Sequence, residues 1–200
     1  MKTIAQLRNN LRFHPEEINS SIKYFKELKI DWNVYLPSKG FNLQRDFVWT
    51  LDQKREIIWS ILMKRLIPRM AVICNHDMVY QIIDGKQRLS AMIDFVDNKY
   101  TLLIDGNEYY FCDLPLDYQQ TISNYYFAYY IVHEESLRFP ITDEDKIDWF
   151  KFINFAGTPQ ESEHMDKLTA VKKACAYGDH FNADNECPKL MSCFDCDKFR

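Results

Sequence analysis

The chain has 200 residues, of which 46% are hydrophobic and 27% charged, with a formal net charge of −4. Length and balance fit one globular domain, or one domain with a small appendage, that buries a sizeable core. The acidic balance excludes a global basic field that would draw the chain onto nucleic acid, and leaves room only for a local basic patch.

In chain order, Ile18, Ile22, Phe25 and Leu28 recur at helical spacing and predict an amphipathic helix within residues 1–30. Pro37-Ser38-Lys39-Gly40 marks a break. Thr50 stands three residues before Gln53, the capping-box spacing, and predicts a helix. Leu51, Ile58, Ile61 and Leu62 supply its buried face, and Pro68 closes it. Met70–Cys74 and Met78–Ile83, separated by Asn75-His76-Asp77, predict a β-hairpin. The second strand runs straight into Asp84-Gly85, after which Leu89, Met92, Ile93 and Val96 recur at helical spacing. Asp105-Gly106, between Tyr100–Ile104 and Glu108–Phe111, predicts a second hairpin. A short helix over residues 115–124, a strand over Phe127–His133 and a helix over Asp143–Phe155 follow. Thr158-Pro159-Gln160-Glu161 has the cap, proline and glutamate of another helix start, with Gly178 as its stop. Residues 1–178 are therefore expected to form the domain, and 179–200 a cysteine-containing tail.

Four segments hold residue types suited to chemistry. Asp84-Gly85-Lys86-Gln87-Arg88 joins a strand to a helix. A glycine there permits a sharp turn, helix-start amides favour an anion, and Lys86 and Arg88 add positive charge. Spacing alone fits a plain polar turn with a capping aspartate equally well. Asn42-Leu43-Gln44-Arg45-Asp46-Phe47-Val48-Trp49 sets a basic and an amide side chain beside two aromatics. Core aromatics and an Arg45–Asp46 surface pair are the favoured explanation, ahead of a ligand. Asn154-Phe155-Ala156-Gly157-Thr158-Pro159 reads as a helix stop followed by a capped start.

The fourth segment holds Cys187, Cys193 and Cys196, with His180 upstream. The two-residue spacer of Cys193-Phe194-Asp195-Cys196 suits structural zinc, but the gap from Cys187 is wider than a zinc finger's. Cys74, Cys112 and Cys175 lie in apolar runs and are expected to be core thiols. The run Tyr125–Tyr130 offers stacking surfaces for unpaired bases, with strand packing as the plainer use. The P-loop, the dinucleotide fingerprint and the nucleophile elbow are all missing. No stretch approaches the roughly 18 apolar residues that span a bilayer, and Met1–Asn10 lacks a signal peptide's apolar centre. A cytoplasmic protein without membrane partners is expected, its six cysteines reduced unless they bind metal.

Three segments together resemble the N-terminal domain of GmrSD-type restriction proteins. Gln44-Arg45-Asp46-Phe47-Val48-Trp49 is similar to that family's Gln-Arg-x-aromatic-Val-Trp element. Ile83-Asp84-Gly85-Lys86-Gln87-Arg88-Leu89-Ser90 resembles its Val/Ile-Asp-Gly-Gln-Gln-Arg-Leu-Thr hallmark. Asn154-Phe155-Ala156-Gly157-Thr158-Pro159 resembles its Asn-x-Gly-Gly-Thr-Pro element, and the three occur in the family's order.

The resemblance implies an α/β (α+β) fold of the ParB/sulfiredoxin-like kind, a small mixed sheet surrounded by helices. It also implies a domain that binds and hydrolyses a nucleoside triphosphate with magnesium and controls a nuclease that cuts modified DNA. Asp84, Gly85, Gln87 and Arg88 then become the nucleotide loop, with Gln44 and Arg45 as neighbours in one pocket. Arg88, Lys86 and the loop amides are expected to hold phosphates, and Asp84 a magnesium ion or the attacking water. Lys86 and Ala156 depart from the family's glutamine and glycine, and the residues up to Arg200 leave no room for the nuclease. A stand-alone regulator, or an enzyme with its own reaction, is therefore the expectation, most simply an NTPase. The alternatives are a kinase of a small acceptor, a DNA-binding module without catalysis, or a protein that blocks a restriction partner.

Overall fold

The computed structural model describes residues 12–155, and their first regular element is a strand, β1 (Glu16–Ser21). This corrects the expected helix within residues 12–30; residues 1–11 of that expectation lie outside the described residues. Ser21 is the point of change: extended itself, it accepts the Tyr24 amide on its hydroxyl and starts the short helix α1 (Ile22–Lys26). Ile22 and Phe25 keep the helical spacing and are buried, but Ile18 belongs to the strand and pairs with Tyr129. A strand running into a helix reproduced the i, i+4 pattern, and long-range pairing decided the conformation of Ile18.

Three short strands come next, β2 (Ile30–Asp31), β3 (Tyr35–Leu36) and β4 (Phe41–Asn42). The expected break at 37–40 is a tight turn, in which the amides of Lys39 and Gly40 donate to the Leu36 carbonyl at 3.0 and 2.9 Å. Helix α2 (Leu51–Leu62) opens on the expected capping box. The Thr50 hydroxyl accepts the Gln53 amide at 3.3 Å, and the Gln53 side chain accepts the Thr50 amide at 2.9 Å. Ile57, Ile58 and Ile61 are buried, whereas Leu51 is 43% exposed and lies outside the buried face assigned to it. The helix also ends before Pro68. Met63 caps it, and Lys64 turns the chain at a φ of 54°. Thr50→Ala is expected to destabilise the protein by about 1 kcal/mol, read as a lowered urea midpoint. An unchanged midpoint would show the box to be idle.

The first expected hairpin forms from β5 (Met70–Cys74) and β6 (Tyr80–Asp84). Asn75 shapes its turn by accepting the amides of Asp77 and Val79 on its side-chain oxygen at 3.0 and 2.9 Å. Helix α3 (Lys86–Val96) follows, with Leu89, Met92, Ile93 and Val96 buried as their spacing predicts. Strands β7 (Leu102–Ile104) and β8 (Asn107–Tyr109) turn at Asp105 and Gly106, both at positive φ, the geometry that Asp-Gly favours. Helix α4 (Leu116–Ser123), strand β9 (Tyr126–His133) and helix α5 (Asp143–Phe155) complete the described chain close to their expected bounds.

The architecture is α+β, with a mixed five-stranded sheet in the order β1-β9-β5-β6-β2. β9 runs antiparallel to β1 and parallel to β5, while β6 runs antiparallel to β5 and parallel to β2. β5 is central and all five of its residues are buried, which accounts for its unbroken apolar run. Residues 14–33 and 44–138 make up one compact unit. In its core, Ile22, Phe25, Ile58, Ile61, Leu89 and Phe95 from the helices meet Met70, Val72, Ile82 and Tyr129 from the strands. Arg55 holds the β7–β8 hairpin to α2 through the Thr101 carbonyl at 2.8 Å and Glu108 at 2.8 Å. Cys74 is buried as expected, but Cys112 is exposed on a 3-10 turn, a correction to its reading as a core thiol.

The described part of the second unit comprises residues 12–13, 34–43 and 139–155. Its core contains Phe13, Leu36, Leu43, Ile147, Trp149 and Phe150, with the Phe13 ring edge-on to Trp149 at 5.3 Å. Ser38 donates both its amide and its hydroxyl to the Asp143 carboxylate at 2.8 Å, tying the β3–β4 turn to the start of α5. Among the described residues, no helix is long and apolar enough to cross a membrane. The expected helix from Thr158, the boundary at 178 and the three tail cysteines lie outside them.

Candidate functional site

β6 ends at Asp84 and α3 begins at Lys86, so Gly85 alone makes the turn between strand and helix. Its φ is +98° and ψ 9°, a conformation open to glycine. A Cβ on Gly85 would sit 2.3 Å from Cγ and 2.6 Å from Sδ of Met70. The glycine is thus demanded twice, by backbone angle and by contact with β5. As a cap it offers no side-chain hydrogen bond. Helix geometry leaves the amides of Lys86, Gln87 and Arg88 without carbonyl partners in α3, because the ladder starts with the Leu89 amide on the Gly85 carbonyl at 2.9 Å. An uncapped helix start carries partial positive charge and favours an anion.

Arg88 lies in the first turn of α3. Its guanidinium donates to the Asp84 carboxylate at 2.6 Å and to the Pro68 carbonyl at 2.5 Å. The two charged side chains are 14% and 15% exposed, so the pair sits at the surface margin. The expected loop pair is therefore in contact, and its third partner, the carbonyl before β5, carries no mark in the sequence.

The other expected residues are brought together too, in a different arrangement. Residues 44–49 form a strap beside the loop. Gln44 is buried and donates to the Ile83 carbonyl at 2.5 Å. Lys86 is also buried, and its ammonium donates to the Arg45 carbonyl at 2.8 Å and the Asn33 side-chain oxygen at 2.9 Å. Burial pushes the Lys86 ammonium down from its ordinary range, against the opposing pull of Asp46 and Asp31. The extra charge that Lys86 brings is thus spent inside the protein. The half-buried Gln87 accepts the Val48 and Trp49 amides at 3.0 and 3.3 Å and donates to the Asp46 carbonyl at 3.0 Å. Trp49 packs on the core, and the Lys54 ammonium lies 4.3 Å from the centre of the Phe47 ring. Arg45 is half-buried in the strap. Asn33, a partner of the loop, was not singled out by the sequence.

In the Tyr125–Tyr130 run, Phe127 and Tyr129 are buried against Phe25, with ring centres 5.3 and 4.9 Å away. These two rings serve the core, and Tyr126 faces outward at 68% exposure. Among the described residues no three His, Cys, Asp or Glu side chains gather as a metal site would require. The candidate zinc ligands Cys187, Cys193 and Cys196 lie outside the described residues.

No curated protein and no solved structure matches the chain. The family model for the N-terminal domain of the GmrSD restriction endonuclease does match, over residues 23–189, a span that takes in the strap, the loop and α5. By that match the chain belongs to the GmrSD N-terminal domain family.

Proposed function

We propose that the start of α3 receives the phosphates of a nucleoside triphosphate, and that this domain couples nucleotide to DNA restriction through a nuclease or restriction partner. The observation that carries the reading is the uncapped helix start with the Arg88 guanidinium beside it. Amides aligned by a helix and a planar fork of charged donors form a combination suited to phosphate oxygens. The family supports the link to restriction.

Arg88 has two tasks in this reading: it grips phosphate oxygens, and it stabilises the charge that develops on them during transfer. Asp84, its present partner, is the carboxylate of the loop. A single carboxylate suits magnesium, which completes its shell with phosphate oxygens and water. When bound, the ion neutralises phosphate charge. Hydrolysis is the simplest reaction, and transfer to a small acceptor uses the same groups.

The test is nucleotide binding, and phosphate release with magnesium, for each nucleoside triphosphate. Arg88→Ala is expected to weaken binding at least tenfold, since hydrogen bonds to charged groups are among the strong ones. Asp84→Ala is expected to lower phosphate release while leaving magnesium-free binding at least as tight. Unchanged behaviour in both variants overturns the assignment. Labelled phosphate on an acceptor rather than in solution identifies a kinase.

A further inference from the structure

The geometry points to Gln87 as a positioning residue: it holds the strap beside Arg88 and does not itself touch the nucleotide. A glutamine amide has one acceptor oxygen and one NH2 donor group. Here both ends are engaged with a single stretch of backbone, the oxygen with the amides of Val48 and Trp49 and the nitrogen with the Asp46 carbonyl. Lys86, the preceding residue, engages the Arg45 carbonyl and Asn33. Two consecutive side chains at the start of α3 thus grip residues 45–49 along their length.

The two grips differ in kind. Lys86 is 8% exposed, so its bonds are shielded from water. Gln87 is half-buried, and its bonds form at the surface, where Asp46 and Val48 are exposed. Water competes there, so the 46–49 end of the strap is the more easily released. Trp49 precedes the Thr50 capping box, so the strap leads directly into α2. Of the loop's polar side chains, Asp84 and Arg88 bond to each other and Arg88 also to the Pro68 carbonyl, whereas Lys86 and Gln87 are turned to the strap. The hallmark motif therefore divides by task, with ligand contact in Arg88 and Asp84 and alignment in Lys86 and Gln87.

A contact role and a positioning role predict opposite orders for two variants. Gln87→Glu keeps an acceptor for the Val48 and Trp49 amides, loses the donor to Asp46 and turns a carboxylate oxygen towards that carbonyl. Gln87→Leu loses all three bonds. A side chain that touched phosphate would suffer most from the glutamate, through charge repulsion. A positioning side chain suffers most from the leucine.

The experiment is hydrogen exchange at residues 46–49 of the full chain, with titration by magnesium nucleoside triphosphate. Exchange at Val48 and Trp49 is expected to speed up about tenfold in Gln87→Leu and to stay near wild type in Gln87→Glu. Nucleotide affinity is expected to fall in the order wild type, Gln87→Glu, Gln87→Leu. Weaker binding by Gln87→Glu than by Gln87→Leu, or unchanged exchange in Gln87→Leu, overturns the inference. The affinity arm rests on the nucleotide reading above, whereas the exchange arm needs no ligand. Wild-type protein that binds no nucleotide refutes that reading, and the exchange result still decides whether Gln87 holds the strap.

Discussion

Gly85→Ala is expected to destabilise the protein by roughly 2 to 5 kcal/mol. Two penalties combine. At a φ of +98° an L-residue crowds its own backbone, at a cost of roughly 1 to 2 kcal/mol. The new carbon also meets Met70 at 2.3 Å, and not only at the flexible end of that side chain, since Met70 Cβ is 2.9 Å away. Met70 is 1% exposed in the central strand and cannot swing into solvent, so the overlap adds an overpacking penalty of roughly 1 to 3 kcal/mol. Urea unfolding measures the sum. Combining Gly85→Ala with Met70→Ala should remove the two closest contacts, with Cγ and Sδ, and keep the Cβ contact and the backbone strain, so the pair should be less destabilising than the sum of the two singles. Strict additivity, or a Gly85→Ala loss under 1 kcal/mol, would be incompatible with the contact described.

Asp145→Ala is expected to destabilise the protein by about 2 to 3 kcal/mol and to flatten its acid unfolding. The carboxylate accepts the Thr142 amide at 2.9 Å and the Thr142 hydroxyl at 2.7 Å, and the Thr142 hydroxyl accepts the Asp145 amide at 3.3 Å. It also accepts the Arg12 guanidinium, at 2.9 Å from Nε and through a second, shorter bond. Burial alone would push this carboxyl up, but the bonds from Arg12 and Thr142 outweigh it and hold it below its ordinary value of 3.8. The folded state therefore binds this proton less readily than the unfolded chain. The stabilisation is fully present above pH 3.8 and is lost as pH falls through the lowered folded value. Arg12 is 47% exposed, so much of the effect resides in the Thr142 bonds and less in the ion pair. Urea midpoints between roughly pH 2 and 6 should fall more steeply on the acid side in wild type than in the variant. Parallel profiles would assign the acid sensitivity to other carboxylates.

Local chemistry explains which elements were legible in the sequence. Thr50 with Gln53, Asn75 at one turn and Asp105-Gly106 at another each act through residues within four positions, and each performs as its spacing predicts. The mixed sheet agrees with the fold class that the three motifs implied. Ile18 has helical spacing yet lies in a strand, because its conformation is decided by pairing with Tyr129, which nothing near Ile18 announces. Leu51 keeps the spacing of an inward residue but is 43% exposed, because burial is decided by tertiary packing that spacing does not report. At the candidate site the motif marked the turn between β6 and α3 but not which of its side chains face the strap. Gln44, Lys86 and Gln87 find their partners 38 to 53 positions away, and those partners are mostly backbone atoms, which every residue possesses. No residue type marks a carbonyl that will be needed.

The strand order bears on how the molecule is made. Glu16 of β1 pairs with Ile131 of β9, so the edge of the sheet cannot close on a nascent chain until residues 126–133 have been synthesised. β5 waits for the same strand along one of its sides. The β5–β6 hairpin and α3 are different, because they join immediate neighbours across short loops, and contacts of that kind form fastest. Gly85 and the Asp84–Arg88 pair lie in that early segment. The turn at Gly85 and the Asp84–Arg88 pair of the candidate phosphate loop thus rest on a local segment, all of which is synthesised before β9, the one strand of the five-stranded sheet that follows α3.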